Sequence, residues 1–261
     1  MNILFRIKTY INYLLKAGNA HGLHSPFVFD LYCNEISKNK IFYAFGFIER
    51  LRTNLLISEN KISIHDLGAG TNGQLKTTRK IKDIAYSSLS NQKTGELLFK
   101  LVNKFQPKNV IEIGTSLGIS TLYLSLANSK TNVYTLEGSE AILKIAKQQF
   151  EQSLRKNITP ILGDFNTTLK PLLEKLDSVD LVFFDGNHQY EPTMKYFEAC
   201  LKKINEQTLF VFDDIYWSPE MKKAWDEIAS RPEVKISIDL YDLGLIFFRN
   251  NQAKQHFVLK F

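Results

Sequence analysis

The segment from Val110 to Thr121 constrains the fold of this chain more than any other part of the sequence. It begins with strand-forming residues, passes through a turn that contains Gly114 and Gly118, and runs into an apolar helix. The two glycines carry no Cβ, so the backbone of the turn can approach a ligand closely. A second apolar strand, 132–137, follows and ends in Glu137. This order predicts a nucleotide-binding βαβ unit in which an acid at the tip of the second strand faces a ribose.

The glycine spacing excludes the dinucleotide fingerprint G-x-G-x-x-G here, because Ser116 and Ile119 stand at the second and third glycine positions. The pattern is E-x-G-x-x-x-G, starting at Glu112, and it resembles motif I of the class I S-adenosylmethionine-dependent methyltransferases. The resemblance implies that Glu112 and the turn face the methionine part of the cofactor and that Glu137 binds the ribose hydroxyls. The alternative is an ordinary strand–helix turn with a solvated glutamate at a strand end.

Asp164 and Phe165 follow the third predicted strand. They resemble the family position at which an acid bonds the adenine amino group and an aromatic side chain covers the adenine ring. The full set of candidate cofactor-binding residues is Glu112, Gly114, Ser116, Gly118, Ser120, Glu137, Gly138, Asp164, Phe165 and Asp185.

A second glycine-rich segment, Gly68–Gly73, matches G-x-G-x-x-G literally and follows a plausible strand, 62–67. A helix carrying Arg79 and Ile81 is expected next. No strand follows within the roughly 30 residues that a βαβ unit requires. The segment is therefore interpreted as a loop or lid element. An NAD-dependent oxidoreductase that uses this segment is the disfavoured alternative.

From residue 93 onward, helical and strand patterns alternate, which predicts an α/β fold with a mostly parallel sheet. Two closely spaced strands, 234–239 and 244–248, end the pattern and predict one antiparallel strand. The family resemblance implies a Rossmann-like, doubly wound sheet of seven strands in the order 3-2-1-4-5-7-6. We expect residues 93–261 to form the S-adenosylmethionine-binding domain and residues 1–92 to form a mainly helical extension or cap.

Acidic residues stand at the ends of five successive predicted strands, where ligands bind in open α/β sheets. The segment Asp185-Gly-Asn-His188-Gln-Tyr, with the later pair Asp213-Asp214, resembles the metal-dependent O-methyltransferases of the catechol, caffeoyl and macrocin types. Three converging carboxylates repel one another unless they are protonated or bridged by a cation. Asp185, Asp213 and Asp214 are therefore expected to bind Mg²⁺ or another divalent cation.

His188 and Asp185 are the predicted catalytic residues. A bound cation would lower the pKa of an acceptor hydroxyl, and His188, whose ordinary pKa is near neutrality, would remove the proton. The alternative is a metal-free site in which the aspartates cap helices and His188 lines the pocket.

The leading hypothesis is an enzyme, an S-adenosylmethionine-dependent methyltransferase that methylates oxygen on a small molecule. RNA or protein methylation stays open but is not favoured, because the chain lacks the N/D-P-P-Y/F motif of amino-nitrogen chemistry. A non-catalytic binding module of the same fold also stays open.

Composition bounds the location and the partners. Two cysteines in 261 residues predict a reducing, cytoplasmic setting, and no stretch is long and apolar enough to span a bilayer. The net charge of +6 is spread along the chain and is not a nucleic-acid footprint by itself. The apolar N-terminal helix predicts a cap or a homodimer element in preference to a membrane-surface helix.

Overall fold

The computed structural model describes residues 3–65 and 76–261, so the segment Gly68–Gly73 lies outside the described residues. The chain divides into two compact units, Ile41–Leu172 and Met1–Lys40 with Leu173–Phe261. The assignment of residues 1–92 as an extension remains a prediction.

The helices, in chain order, are α1 (Ile3–Lys16), α2 (Pro26–Leu31), α3 (Tyr43–Leu56), α4 (Ile81–Ser88), α5 (Gln92–Phe105), α6 (Ile119–Leu126), α7 (Glu140–Gln152), α8 (Phe165–Glu174), α9 (Tyr190–Leu201) and α10 (Pro219–Ser230). The strands are β1 (Lys61–His65), β2 (Lys76–Lys80), β3 (Asn109–Ile113), β4 (Asn132–Glu137), β5 (Ile158–Leu162), β6 (Leu181–Phe184), β7 (Leu209–Asp213), β8 (Ile236–Asp239), β9 (Leu243–Phe247) and β10 (Gln255–Val258).

The unit Ile41–Leu172 contains the βαβ segment that the sequence predicts. Strand β4 lies between β3 and β5 and pairs with both in parallel. All five residues of β3 are buried, as expected for a parallel strand that is covered on both faces. The apolar faces of α3 to α7 share one core cluster, in which Phe45, Phe99 and Tyr123 are in ring contact. This core holds the turn after β3 on a rigid support.

The hairpin in this unit departs from the sequence expectation. Strand β1 pairs antiparallel with β2, and Arg79, expected in a helix, lies in β2 opposite Ile62. The helix α4 begins only at Ile81. All five residues of β2 are polar, so its sequence carries no apolar pattern that predicts a strand. Its backbone pairing with β1 decides its conformation instead. This antiparallel pairing agrees with the rejection of a second parallel βαβ unit.

The other unit contains the strands β6 to β10. Strand β7 pairs in parallel with β6 and antiparallel with β9, and β9 pairs antiparallel with β8. The predicted closing hairpin with one antiparallel strand is therefore confirmed. Strand β10 pairs in parallel with β8 and is not among the predicted strands. The mostly parallel α/β fold is confirmed, but eight strands besides the β1–β2 hairpin replace the predicted seven.

The missed strand β10 has a physical explanation. Its sequence, Gln-His-Phe-Val, is short and half polar, so it lacks the apolar run of an interior strand. Its edge position and its backbone pairing with β8 supply its order instead.

Packing in this unit requires a glycine at one position. A Cβ on Gly244 would lie 2.3 Å from the ring of Trp225, which is fully buried on α10. Within the described parts of the chain, no helix has the length and apolar character needed to cross a membrane.

Candidate active site

The turn after β3 has the backbone conformation that its glycines predict. Gly114, Ser116 and Gly118 all have positive φ angles, of 105°, 47° and 86°. A Cβ on Gly118 would lie 2.6 Å from the ring of Phe150, so this position also lacks space for a side chain. The turn is therefore held in a left-handed conformation that a chain of ordinary residues would adopt only with strain.

Glu137, at the end of β4, is fixed by two backbone groups. Its Oε2 accepts a hydrogen bond from the Ser116 N–H at 2.9 Å, and its Oε1 accepts one from the Ser139 N–H at 2.9 Å. Burial raises the pKa of Glu137, and these donors oppose the shift. An ionised carboxylate has about four lone-pair positions, so it can still accept hydrogen bonds from a ligand.

Glu112 lies inside the protein rather than on the surface of the turn. Its side chain is fully buried, and its Oε2 accepts hydrogen bonds from the hydroxyls of Thr121 and Thr135, the latter at 2.6 Å. Its Oε1 is buried and has no hydrogen-bond partner among the described residues. Burial raises the pKa of Glu112 to about 7, and hydroxyls from three neighbours, Ser120 included, oppose that shift.

The two threonines around Glu112 are absent from the sequence-based set. The sequence could have indicated Thr135, because parallel pairing of the two predicted strands places it directly beside Glu112. Thr121 follows one helical turn after the glycine turn, and only the packing of α6 directs its hydroxyl at the carboxylate. Ser88 was also missed: its Oγ lies 2.7 Å from the Oγ of Ser116.

Asp164 and Phe165 stand where β5 ends and α8 begins. The Oδ1 of Asp164 accepts the Asn166 N–H at 2.7 Å, so this acid caps the helix. The Gly163 N–H donates to the carbonyl of Glu137 at 2.9 Å, which ties this corner to the end of β4. Gly138, beside it, has no heavy atom within 4 Å of the position that a Cβ would take.

A second group of predicted residues follows β6 and β7 in the other unit. His188 Nε2 lies 3.7 Å from Asp185 Oδ1 and 3.9 Å from Asp214 Oδ2. Burial lowers the pKa of His188, and the charge of Asp214 opposes that shift. Burial raises the pKa of Asp214, and the charges of His188 and Arg6 oppose that shift. The neutral imidazole is therefore favoured, with carboxylates close enough to stabilise the protonated ring.

Two residues that the sequence did not single out complete this group. The ring of Trp217 is 39% exposed and lies 6.4 Å from the ring of His188, centroid to centroid. The guanidinium carbon of Arg6, on α1, stands 5.4 Å from the centroid of Trp217. Trp217 could have been noticed from its place three residues after Asp214, but no local pattern indicates the role of Arg6.

The predicted metal site is not assembled. Across residues 3–65 and 76–261, no group of three or more His, Cys, Asp or Glu side chains is arranged to hold a metal ion. The convergence of Asp185, Asp213 and Asp214 on one cation therefore stays a prediction. Asp214 has a left-handed backbone, with φ of 55°, and its N–H donates to the Oδ1 of Asp213 at 3.1 Å. In this turn, Asp214 lies near His188, and the Oδ1 of Asp213 accepts the backbone N–H of its neighbour.

The fold and the turn define the class of protein. A buried parallel strand leads into a glycine turn, and the next strand ends in an anchored acid, as in class I methyltransferases. Residues 111–215 match the family model described as a methyltransferase domain. The chain therefore carries a methyltransferase domain over these residues.

The chain is also similar to several individual proteins. A catechol O-methyltransferase of Niastella koreensis is 25% identical over 173 residues, which cover 65% of this chain and 76% of that protein. Protein R132 of Acanthamoeba polyphaga mimivirus is 31% identical over 151 residues, or 51% of this chain and 66% of its own length. The structure of the Podospora anserina methyltransferase PaMTH1, bound to S-adenosylhomocysteine, is similar with a TM-score of 0.60 and 15% identity. That match covers 87% of this chain and 97% of the other.

Proposed function

We propose that this chain transfers the methyl group of S-adenosylmethionine to an oxygen atom of a small-molecule acceptor. The observation that carries the proposal is Glu137, whose carboxylate is anchored by the backbone of Ser116 and Ser139 at the end of β4. Anchoring fixes the position of the carboxylate and leaves lone pairs for the two ribose hydroxyls. The similarity to a catechol O-methyltransferase supports oxygen as the acceptor atom.

The residues around Glu137 fit the rest of the cofactor. The positive-φ turn Gly114–Gly118 offers bare backbone at its two glycines to the methionine part, and Asp164 with Phe165 would hold the adenine. Space beside Gly138 and the unpartnered Oε1 of Glu112 are consistent with a site built for a polar ligand. When bound, S-adenosylmethionine supplies an electrophilic methyl group, so the protein has to position and deprotonate the acceptor.

His188 is the proposed general base. Its Nε2 accepts the proton of the acceptor hydroxyl, and its lowered pKa keeps that nitrogen unprotonated at neutral pH. Asp185 and Asp214, each within 4 Å of Nε2, stabilise the imidazolium that results. A divalent cation bound by Asp185, Asp213 and Asp214 remains part of the proposal; among the described residues these side chains are not arranged as a ligand set.

The proposal also covers the class of the acceptor and the location of the protein. The acceptor is proposed to be a small molecule, with nucleic acid not favoured. A cytoplasmic location is supported by the two cysteines, Cys33 and Cys200, which are both free thiols.

Calorimetric titration with S-adenosylhomocysteine tests the cofactor site. Wild-type protein should bind, and Glu137→Ala should weaken binding by about 1–3 kcal/mol, because hydrogen bonds to a charged group are lost. Glu140→Ala, which removes an exposed acid three residues later, is the matched control and should bind as wild type does. Absence of binding by the wild-type protein would overturn the proposed function.

Transfer of a radiolabelled methyl group tests the acceptor class. Hydroxylated small molecules, transfer RNA and peptides should be offered in parallel, with label expected only in the first group. Label in RNA or peptide alone would show that the proposed acceptor class is wrong while the cofactor assignment stands.

A further inference from the structure

The helix α1 exposes an apolar face that no described part of the chain covers. Its large apolar side chains are between 47% and 80% exposed, and they are Ile3, Leu4, Ile7, Tyr10, Ile11, Leu14 and Leu15. At 3.6 residues per turn, they fall within an arc of about 140° on one side of the helix. A continuous apolar patch of this kind marks an interaction surface, whereas scattered exposed residues do not.

The opposite side of α1 is firmly attached to its own unit. Tyr13 is the one residue of the helix that is buried, and its hydroxyl donates to the carbonyl of Leu259 at 2.6 Å. The hydroxyl of Tyr241 donates to the carbonyl of Arg6 at 2.9 Å, and the Arg6 side chain stands over Trp217. The apolar face therefore points outward because polar contacts on the other face fix the rotation of the helix.

The charges around the apolar face have one sign. The ionisable side chains of α1 other than its tyrosines are Arg6, Lys8 and Lys16, and the helix contains no acid. Lys8 and Lys16 are exposed, and the exposed Lys260 is held beside the end of α1 by a backbone hydrogen bond to Gly18. On the helical wheel, Lys8 lies about 20° beyond Leu15, at one edge of the apolar arc.

The nearby acids are on the attached side of the helix. Asp239 and Asp242 act electrostatically on the buried hydroxyl of Tyr13, and Asp239 is itself buried. They therefore do not offset Lys8 at the rim of the apolar face.

Although the sequence alone favours a cap or a dimer element, we propose that α1 docks this protein on an anionic lipid surface, with the apolar face inserted at the interface and Lys8 at its rim contacting lipid phosphates. A helix of 14 residues is about 21 Å long at 1.5 Å per residue, so it can lie in the interface but cannot cross the bilayer. Apolar side chains flanked by basic residues suit such a surface. Tyr10 stands at the other edge of the arc, where an amphipathic ring fits the boundary between lipid and water.

A second copy of the chain matches this face less well. Helix pairing is oriented by opposite charges beside the apolar seam, and α1 carries only positive charges. Two copies would bring lysines together with no acid from α1 to pair with them.

Vesicle flotation with the full chain tests the proposal. Vesicles of phosphatidylcholine alone are compared with vesicles of equal parts phosphatidylcholine and phosphatidylglycerol. Wild-type protein should float with the anionic vesicles, and high salt should weaken that binding. Leu4→Asn with Leu15→Asn removes two side chains that are each 80% exposed, and should weaken binding at least tenfold. Lys8→Gln with Lys16→Gln should remove the preference for anionic vesicles.

The matched control is Ile41→Asn with Ile57→Asn, which removes two apolar side chains that are 87% and 68% exposed outside α1. It should float as wild type does. Failure of the wild type to float, or equal loss in the control and in the Leu4/Leu15 variant, would overturn the proposal. Light scattering without vesicles provides the third measurement: a dimer that the Leu4/Leu15 variant dissociates would assign the face to a second copy instead.

Discussion

Replacement of Glu112 by glutamine should change how the stability of this protein depends on pH. The carboxyl is fully buried, and its pKa in the folded protein is about 7, raised from an ordinary value of 4.5. A carboxyl whose pKa is raised by folding stabilises the native state while it is protonated. That stabilisation is complete below pH 4.5 and is lost as the pH rises through about 7.

The magnitude follows from the two pKa values. Each pKa unit corresponds to about 1.4 kcal/mol, so the full loss of stability above neutrality is on the order of 3 kcal/mol. Between about pH 5 and pH 8.5, linkage gives a loss of roughly 2–3 kcal/mol of stability from this one group. Glutamine does not ionise, so Glu112→Gln should lack this component of the profile.

The substitution also lowers the free energy of unfolding by an amount that does not depend on pH, and this change does not affect the test. The amide oxygen can accept the hydroxyls of Thr121 and Thr135, but the amide nitrogen takes the place of Oε1, which has no described partner. An unsatisfied buried donor costs about 1–3 kcal/mol at every pH. The quantity to compare is therefore the change between the two pH values, in which this cost cancels.

Differential scanning calorimetry without cofactor provides the assay. Between about pH 5 and pH 8.5, the melting temperature of the wild type should fall by roughly 5–10 °C more than that of Glu112→Gln. Glu151→Gln, which removes an exposed carboxylate on α7, measures the effect of charge removal alone. Parallel profiles for wild type and Glu112→Gln would refute the assignment of a raised pKa to this buried carboxyl.

Three further predictions concern catalysis and the turn. His188→Ala should lower kcat far more than it weakens cofactor binding, because a base acts in the transition state. In the wild type, methyl transfer measured over a pH series should show the acid limb of the kcat/KM profile below pH 6.5. Gly118→Ala should cost about 2–4 kcal/mol in chemical denaturation, because a left-handed backbone and the ring of Phe150 both oppose a Cβ, whereas Gly138→Ala should cost little. If Asp185, Asp213 and Asp214 bind a cation as proposed, a chelator should suppress turnover and added Mg²⁺ should restore it; full turnover after chelation would contradict the proposed cation.

Local sequence patterns determined the architecture of this protein and the glycine turn after β3. The run of buried residues in β3, the glycines with positive φ and the acid at the end of β4 are consequences of neighbouring residues. Strand and helix periodicities depend on burial of one face, which a linear pattern records. The α/β fold, its antiparallel strand β9 and the methyltransferase family were therefore all predicted before any coordinates.

Tertiary structure decided which side chains meet. Arg6 reaches Trp217 from the opposite end of the chain, and Thr121 reaches Glu112 only through the packing of α6. Folding also brings Asp185 and Asp214, which follow different strands, to within 4 Å of His188 Nε2, and Asp214 has a left-handed backbone there. Spacing along the chain does not report the rotation of a turn or of a helix, because contacts distant in sequence fix both. For the same reason, the outward orientation of the apolar face of α1 is a property of its tertiary contacts, while its amphipathic character is a property of the sequence.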